Sequence, residues 1–140
     1  MQAEGISEIG DDWFCYLNQV RELVLPSTLR RIGKSAFIGC EHLTEVRLPD
    51  GVEELAESAF QDCSGVRRFC LPASLRRIGY LALYVGEGRL LAVDVARGNK
   101  YFTSRHGVLY NREMTAILLY PCSKRRKEYA IPASVRMARL

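Results

Sequence analysis

The 140-residue chain lacks the features that mark several large classes of protein. It has no run of about 18 apolar residues, the length that a membrane-spanning helix needs, so we expect no membrane span. Its five cysteines are an odd number without a C-x-x-C pair, which argues against a secreted disulfide framework and against a zinc knuckle. Residues 1–12 contain no basic segment and no apolar core, so no signal peptide is expected in this chain.

Motifs of the common enzyme classes are also missing. The sequence contains no G-x-S-x-G, H-E-x-x-H, P-loop or G-x-G-x-x-G pattern. Its two histidines, His42 and His106, lie far apart in the chain, so a Cys/His or Ser/His nucleophilic pair would need a coincidence of folding. We therefore expect no enzyme activity, no cofactor and no metal site.

The composition is that of one ordinary globular domain. Hydrophobic residues make up 48% and charged residues 26%, which excludes a disordered tail. The net charge of +4 is far below that of a dedicated nucleic-acid-binding protein, so no specific nucleic-acid partner is expected.

An internal repeat of 23 residues dominates the sequence. Units at residues 25–47, at 48–70 and from 71 onward align without a gap, and apolar residues such as Leu25, Leu48 and Leu71 recur in the same columns. An incomplete unit precedes residue 25, so we expect the chain to open inside a repeat. An extra residue near 86–89 makes the unit after residue 71 one residue longer. Such periodicity predicts stacked units that bury a continuous core.

Each unit ends in a two-residue alternation that predicts one short strand per turn and hence a parallel sheet. The proline at positions 26, 49 and 72 follows directly and ends the strand, because proline has no N–H to donate. Residues 34–37 and their copies predict a short helical or 3₁₀ turn on the opposite side. The small Ala36, Ala59 and Ala82 permit close stacking there.

The pattern LPxxLxxIGxxAFxxCxxLxxVxLP resembles the leucine-rich repeats of the BspA-like bacterial surface-protein class. The resemblance implies an α/β right-handed solenoid with a concave parallel sheet and no catalytic site in its repeats. It also implies a secreted or cell-surface parent protein that binds other proteins.

The segment 99–135 looks like the hairpin-bearing module that such proteins insert between repeat blocks. Its strand-turn-strand is expected at 107–110, 111–114 and 116–120. The Leu-Pro position moves from Val95 to Ile131, which corresponds to one turn plus an insertion. We expect a single domain over residues 1–140, with repeats at about 6–95, the hairpin module at about 96–130 and a truncated repeat at 131–140.

Two columns of the repeat invite a chemical interpretation. Cys40 and Cys63 share one column, and turns about 4.8 Å apart would bring them within disulfide range, but free buried thiols are favoured. Exposed pairs alternate in sign, from Arg30-Arg31 to Glu53-Glu54 to Arg76-Arg77. This alternation predicts a row of ion pairs that holds neighbouring turns in register. Each exposed pair would contribute about 0.2–1 kcal/mol to stability.

The outward positions of the predicted strands are the candidate recognition residues. They are Glu22 and Val24, Glu45 and Arg47, Arg68 and Cys70, and Ala92 and Asp94. Among them, the candidate concave-face binding residues are Glu22, Glu45, Arg47, Arg68 and Asp94. A mixed-charge strip suits a protein surface better than phosphate tracking. Simple solvation of an outer face stays open as the alternative.

The densest positive charge is Lys124-Arg125-Arg126-Lys127. It indicates either a polyanion patch or a plain solvated turn, and its place between two predicted strands favours the turn.

The sequence predicts a non-catalytic module that recognises proteins or glycans, in a fragment of a bacterial cell-surface or secreted protein with a role in adhesion to host or matrix. A structural spacer that displays another domain is the alternative. Both ends interrupt a repeat, so we also expect self-association through uncapped turns.

Overall fold

The computed structural model describes residues 5–124, 126 and 128–138. Its 23-residue repeats stack as the turns of a solenoid of about four turns. Residues 1–4, 139 and 140, at the ends of the predicted domain, lie outside the described residues. No helix occurs in the described part of the chain, and no segment there meets the requirements of a membrane-spanning helix.

The described residues form eleven short strands. These are β1 (Glu8–Ile9), β2 (Arg31–Ile32), β3 (Glu45–Arg47), β4 (Glu54–Leu55), β5 (Arg68–Leu71), β6 (Arg77–Ile78), β7 (Ala92–Val95), β8 (Phe102–Arg105), β9 (Val108–Asn111), β10 (Ala116–Leu119) and β11 (Met137–Ala138). Sheet A contains β1, β2, β4 and β6 in that order, and sheet B contains β3, β5 and β7. Sheet C has the order β11, β10, β9, β8. Sheets A and B are parallel and run along the solenoid, whereas sheet C combines three strands of the C-terminal module with β11.

Sheet B confirms the predicted parallel sheet and the length of the repeat. Glu45 is opposite Arg68, one 23-residue unit later. Arg68 is opposite Ala92, so the next unit contains the predicted extra residue. Pro72 directly follows β5, and Pro49 lies two residues after the end of β3, where the missing N–H removes no ladder hydrogen bond.

Sheet A corrects the prediction of one strand per turn, because each complete turn contains two. Its strands are only two residues long, with an outward charged residue and an inward aliphatic one, as in Arg31–Ile32. Two residues are too few for an alternation to stand out in a sequence. The core therefore lies between two parallel sheets and the turn segments.

The first predicted strand, near Glu22, does not form. The segment 20–25 meets the next turn through one long backbone hydrogen bond, from Thr44 N–H to the Arg21 carbonyl at 3.4 Å. The equivalent bond one turn later, from Arg67 N–H to the Thr44 carbonyl, is 2.8 Å long. Among the described residues this segment has a neighbouring turn on one side only, so its inward side chains Val20, Leu23 and Leu25 are only partly buried.

The segments opposite sheet B are consecutive β-turns, where the sequence predicted a short helical or 3₁₀ turn. Ser35, Ser58 and Leu81 occupy one column and have φ of 55°, 60° and 60°. A residue in this left-handed region cannot continue a right-handed helix. Hydrogen bonds between turns replace helical ones, as from Phe37 N–H to the Ala59 carbonyl at 2.8 Å.

Aromatic rings stack along the axis of the core. The ring centroids of Phe14 and Phe37 are 5.4 Å apart, and those of Phe37 and Phe60 are 5.1 Å apart with nearly parallel planes. Phe37 and Phe60 are fully buried, and Leu83 ends the column. The 23-residue register thus places like residues on one another, as the aligned columns predicted.

All five cysteines are free thiols. Cys40 donates its S–H to the Phe14 carbonyl at 3.2 Å, and Cys63 donates to the Phe37 carbonyl at 3.1 Å. Each buried thiol therefore ties its own turn to the preceding one, which agrees with the favoured interpretation of this column.

Alternating charges form a ladder on the outer side of sheet A. Arg31 bridges Glu8 at 3.1 Å and Glu54 at 3.3 Å, and Arg77 approaches Glu54 at 3.9 Å. The second member of each predicted pair therefore makes the predicted contact. Glu8 is an additional rung that the sequence analysis did not single out.

The C-terminal module leaves the solenoid at Asn99, which is 2% exposed. Its side-chain amide donates to the carbonyls of Pro72 (3.0 Å) and Leu75 (2.8 Å) in the preceding turn. Its carbonyl oxygen accepts the N–H groups of Tyr101 and Phe102, both at 2.8 Å. These four bonds turn the chain outward into sheet C.

Sheet C contains the predicted strand-turn-strand as β9 and β10, which pair in antiparallel orientation. The additional strand β8, which was not predicted, pairs with β9. His106 and Gly107 both have positive φ, as a two-residue hairpin turn requires. β11 belongs to the predicted last repeat and pairs in parallel with β10.

The phenylalanine column can be tested by truncation. Phe60→Ala should lower the free energy of unfolding by about 3–5 kcal/mol, because it opens a cavity in the core beside the Phe37 ring on which Phe60 stacks. Urea denaturation monitored by circular dichroism measures the change. Tyr80→Ala, at a side chain that is 71% exposed, is the control and should change stability by less than about 0.5 kcal/mol. Equal effects of the two substitutions would contradict the proposed core.

The charge ladder can be tested by reversing its central rung. Glu54→Lys places three positive charges in a row and should destabilise the fold by about 1 kcal/mol at low salt. The loss should shrink in 1 M NaCl, since salt screens such contacts. Glu53→Lys, one residue away and exposed, makes the same change in net charge. If it destabilises as much as Glu54→Lys, the ladder has no specific role.

Candidate recognition surface

Five outward side chains of sheet B form what we call the charged strip. Its members are Glu45 and Arg47 from β3, Arg68 and Cys70 from β5, and Asp94 from β7. They line one open depression of about 820 Å³. Four of the five predicted binding residues are thus brought together by the parallel register of the strands.

The charges of the strip neutralise one another. Arg47 donates to Glu45 at 3.0 Å, and Arg68 forms an ion pair with Asp94 across two strands. The four side chains remain between 46% and 72% exposed. Surface pairs of this kind contribute little to stability, so their carboxylate and guanidinium groups are free to exchange partners with a ligand.

Cys70 lies between the two ion pairs. Its S–H points to a carboxylate oxygen of Glu45 at 3.6 Å. Burial raises the pKa of this thiol above its ordinary value. A nucleophilic cysteine needs a lowered pKa, so the raised pKa does not favour Cys70 as a nucleophile. We describe Cys70 as a small, half-buried residue that lines the depression.

An apolar margin borders the charged strip. It consists of aliphatic and proline side chains at and beyond the strand ends, namely Leu25, Leu48, Pro49, Leu71, Pro72, Val95 and Ala96. These residues occupy the Leu-Pro columns of the repeat, so the pattern that ends each strand also supplies the margin. Charged groups beside apolar ones are typical of protein interfaces.

The hairpin of the C-terminal module borders the strip at β7. Val93 N–H donates to the Gly107 carbonyl at 2.9 Å, and Val95 N–H donates to the Ser104 hydroxyl at 2.9 Å. A Cβ atom on Gly107 would lie only 2.9 Å from the Ala92 Cβ atom. Glycine is therefore required for this close approach.

The same contact corrects the prediction that Ala92 is an outward strip residue. Ala92 is only 8% exposed, because the hairpin turn covers it. No local sequence pattern indicated this cover, since the hairpin contacts β7 from a later segment of the chain.

Glu22 and Val24 are not part of the strip. Both are exposed, but no strand forms at 20–25, and neither side chain lines the depression. Of the five predicted binding residues, the structure therefore groups Glu45, Arg47, Arg68 and Asp94 around one depression.

The basic run at 124–127 has a partly structural role. Lys124 is half-buried and donates its Nζ–H to the His106 carbonyl in the hairpin turn at 2.5 Å. Arg126 is exposed, and Arg125 and Lys127 lie outside the described residues. Within residues 5–124, 126 and 128–138, no group of three or more His, Cys, Asp or Glu side chains is placed to hold a metal ion.

Solved structures show the same fold. The pneumococcal vaccine antigen PcpA superposes with a TM-score of 0.85 at 22% identity, over 99% of this chain and 40% of that one. A leucine-rich repeat protein from Eubacterium ventriosum gives 0.76 at 25% identity, over 98% and 43%. A leucine rich cell surface protein from Faecalibacterium prausnitzii gives 0.53 at 19% identity, over 93% and 54%. The chain thus spans about half or less of each of these proteins.

Sequence comparison identifies the family. A search of curated proteins finds no match. The family model described as BspA type leucine rich repeat region matches residues 3–104 in six copies, which is most of the chain. The match covers the solenoid turns with their Phe, Cys and Leu-Pro columns. The chain therefore belongs to the BspA-type leucine-rich repeat family.

Proposed function

We propose that the charged strip is a non-catalytic recognition surface for a partner protein, with glycans as the second ligand class. The observation that carries the proposal is the grouping of two exposed ion pairs and an apolar margin on one rigid sheet. Residues on stacked strands keep their spacing without a ligand, so little conformational entropy is lost on binding.

The charge pattern favours a protein partner over a polyanion. Glu45, Arg47, Arg68 and Asp94 together carry no net charge, so the strip does not attract phosphate or sulfate groups as a basic groove does. A partner with its own acidic and basic groups can re-pair with these side chains, and such complementarity gives specificity. Within the apolar margin, Leu25, Pro49, Val95 and Ala96 supply accessible apolar area beside them, whereas Leu48, Leu71 and Pro72 are buried.

The hairpin gives the surface a boundary. Gly107 and Ser104 bond to β7 and fix the hairpin against the strip. Together with the bonds of Asn99, these contacts support one domain made of solenoid and module. Deleting the hairpin would therefore alter the shape of the proposed site as well as the fold.

We also propose that the parent protein is secreted or displayed on a bacterial surface, where the module contributes to adhesion. Membership of the BspA-type family supports this location. Two of the structural neighbours, a pneumococcal vaccine antigen and a leucine rich cell surface protein, agree with this location.

A spacer role is the second candidate. The ladder of Glu8, Arg31, Glu54 and Arg77 and the stacked rings of the core favour a rigid stack. A spacer needs no specific ligand, and its outer charges could pair internally as they do in the strip. Recognition and spacing predict different results when the charges of the strip are reversed. A recognition surface should lose its partner, whereas a spacer has no partner to lose.

The test is a binding experiment with two charge-matched variants. The strip variant contains Glu45→Lys, Arg47→Glu and Arg68→Glu. The control variant contains Glu53→Lys, Arg30→Glu and Arg76→Glu, at exposed positions outside the strip. Both sets change the net charge by the same amount, so nonspecific electrostatic binding changes equally. Each variant is first checked by thermal unfolding.

We expect the parent chain and the control variant to retain the same partner from host-cell or matrix extracts. The strip variant should lose it, with a dissociation constant for the purified partner at least about tenfold higher. If all three chains retain the partner equally, the strip is not the binding site. If none retains a partner from host, matrix or glycan preparations, the spacer function is favoured.

A further inference from the structure

A gap interrupts the solenoid between β6 and the module. β6 is the last strand of sheet A and pairs on one side only, with β4. No Cα atom of β6 comes within 8 Å of a Cα atom of β10. Paired strands lie about 4.8 Å apart, so β6 and β10 are not neighbours in a sheet. A cavity of about 440 Å³ occupies this gap, which we call the slot.

The slot arises where the chain leaves the repeat. After Asn99 the chain enters the hairpin, so no further strand of sheet A pairs with β6 among the described residues. β10 returns along the solenoid but pairs with β11 and β9. One wall of the slot is therefore the turn that begins at Ile78, and the other includes Leu118, Leu119 and Met137.

Backbone groups at the slot repeat a pattern that is satisfied in every earlier turn. Ser58 N–H and Phe60 N–H donate to the carbonyls of the next turn at 2.9 Å and 2.8 Å. Their counterparts, the N–H groups of Leu81 and Leu83, have no such acceptor within the described residues. The edge is thus a template for an added strand, and Leu83 is nearly fully buried.

Side chains at the slot specify what would fit. Along sheet A the residue at the outer position alternates in charge, from Glu8 to Arg31, Glu54 and Arg77. A strand added beside β6 would continue this alternation with a carboxylate at its outer position. Arg77 is 73% exposed and has an acidic neighbour on one side only among the described residues. Ile78 is only half-buried, whereas its counterparts in the preceding two turns are fully buried. The next inner position therefore calls for an aliphatic residue.

We propose that the slot binds an acidic peptide segment that adds a further turn to the solenoid, with a two-residue strand on β6 followed by β-turns. Its carboxylate faces Arg77, the following aliphatic residue covers Ile78, and its backbone bonds to the open edge of β6 and to Leu81 and Leu83. This site is separate from the charged strip and does not rest on the function proposed for it. Strand addition obtains affinity from main-chain bonds and specificity from alternate side chains.

The chain itself contains a segment with this chemistry. Residues 52–60, Val-Glu-Glu-Leu-Ala-Glu-Ser-Ala-Phe, lie between two Arg-Ile strands and pair with both. The segment makes the backbone bonds to the turn before it that the slot offers, as where Phe37 N–H donates to Ala59. A synthetic peptide of this sequence is therefore a suitable probe.

The experiment measures binding of the fluorescein-labelled peptide to the full chain by anisotropy. We expect saturable binding with one peptide per chain. Arg77→Glu should weaken it about five- to tenfold, and the peptide with Glu54→Arg should regain affinity for that variant. Arg21→Glu, an equal charge reversal in the first turn, should leave the affinity unchanged. A scrambled peptide of the same composition controls for charge alone.

Three results would overturn the proposal. One is the absence of saturable binding at millimolar peptide. Another is equal affinity of the peptide for the parent chain and for Arg77→Glu. The third is a concentration-dependent dimer, seen by light scattering, that both Glu8→Lys and Arg77→Glu abolish, because it would identify β1 of a second copy as the occupant. Loss of partner binding in the strip variant bears on none of these outcomes.

Discussion

Hydrogen bonding between successive turns at a fixed 23-residue register is the constraint on which the rest of the structure depends. Each complete turn has three sides, and each side bonds to a neighbouring turn, as at Phe37, Glu53 and Arg67. A single turn cannot bury its own apolar residues, so its stability comes from its neighbours. Because the register is constant, every column of the sequence becomes a row of touching side chains.

The character of each row follows from that constraint. Phenylalanine stacks on phenylalanine in the core, and buried thiols bond to the carbonyls of the preceding turn. On the outside, rows of one sign would repel, so arginine and glutamate alternate along sheet A. The same rule brings Arg68 and Asp94 together on sheet B. The proposed recognition surface and the slot are therefore consequences of one register, the first where it is kept and the second where it is interrupted.

Much of this could be predicted from the sequence because the repeat samples each position several times. Leu48, Phe60 and Cys63 stand in columns whose other members have the same chemistry, so their burial could be predicted. Other features were not predicted, because no sequence pattern indicates them. Strands such as Arg31–Ile32 are too short for periodicity to reveal, and the left-handed Ser35 and Ser58 gave no signal that turns would replace a helix. The cover over Ala92 depends on a hairpin contact between distant segments, for which no local pattern exists.

Native-state amide hydrogen exchange tests the central role of the register most directly. The N–H groups of Phe37, Glu53 and Arg67 represent the three sides of the solenoid, and each donates to a neighbouring turn. If registered stacking holds the molecule together, all three should exchange only through global unfolding, with the same free energy of opening. Fast exchange at one of them, with protection kept at the other two, would show that its side of the solenoid opens independently and would contradict the account.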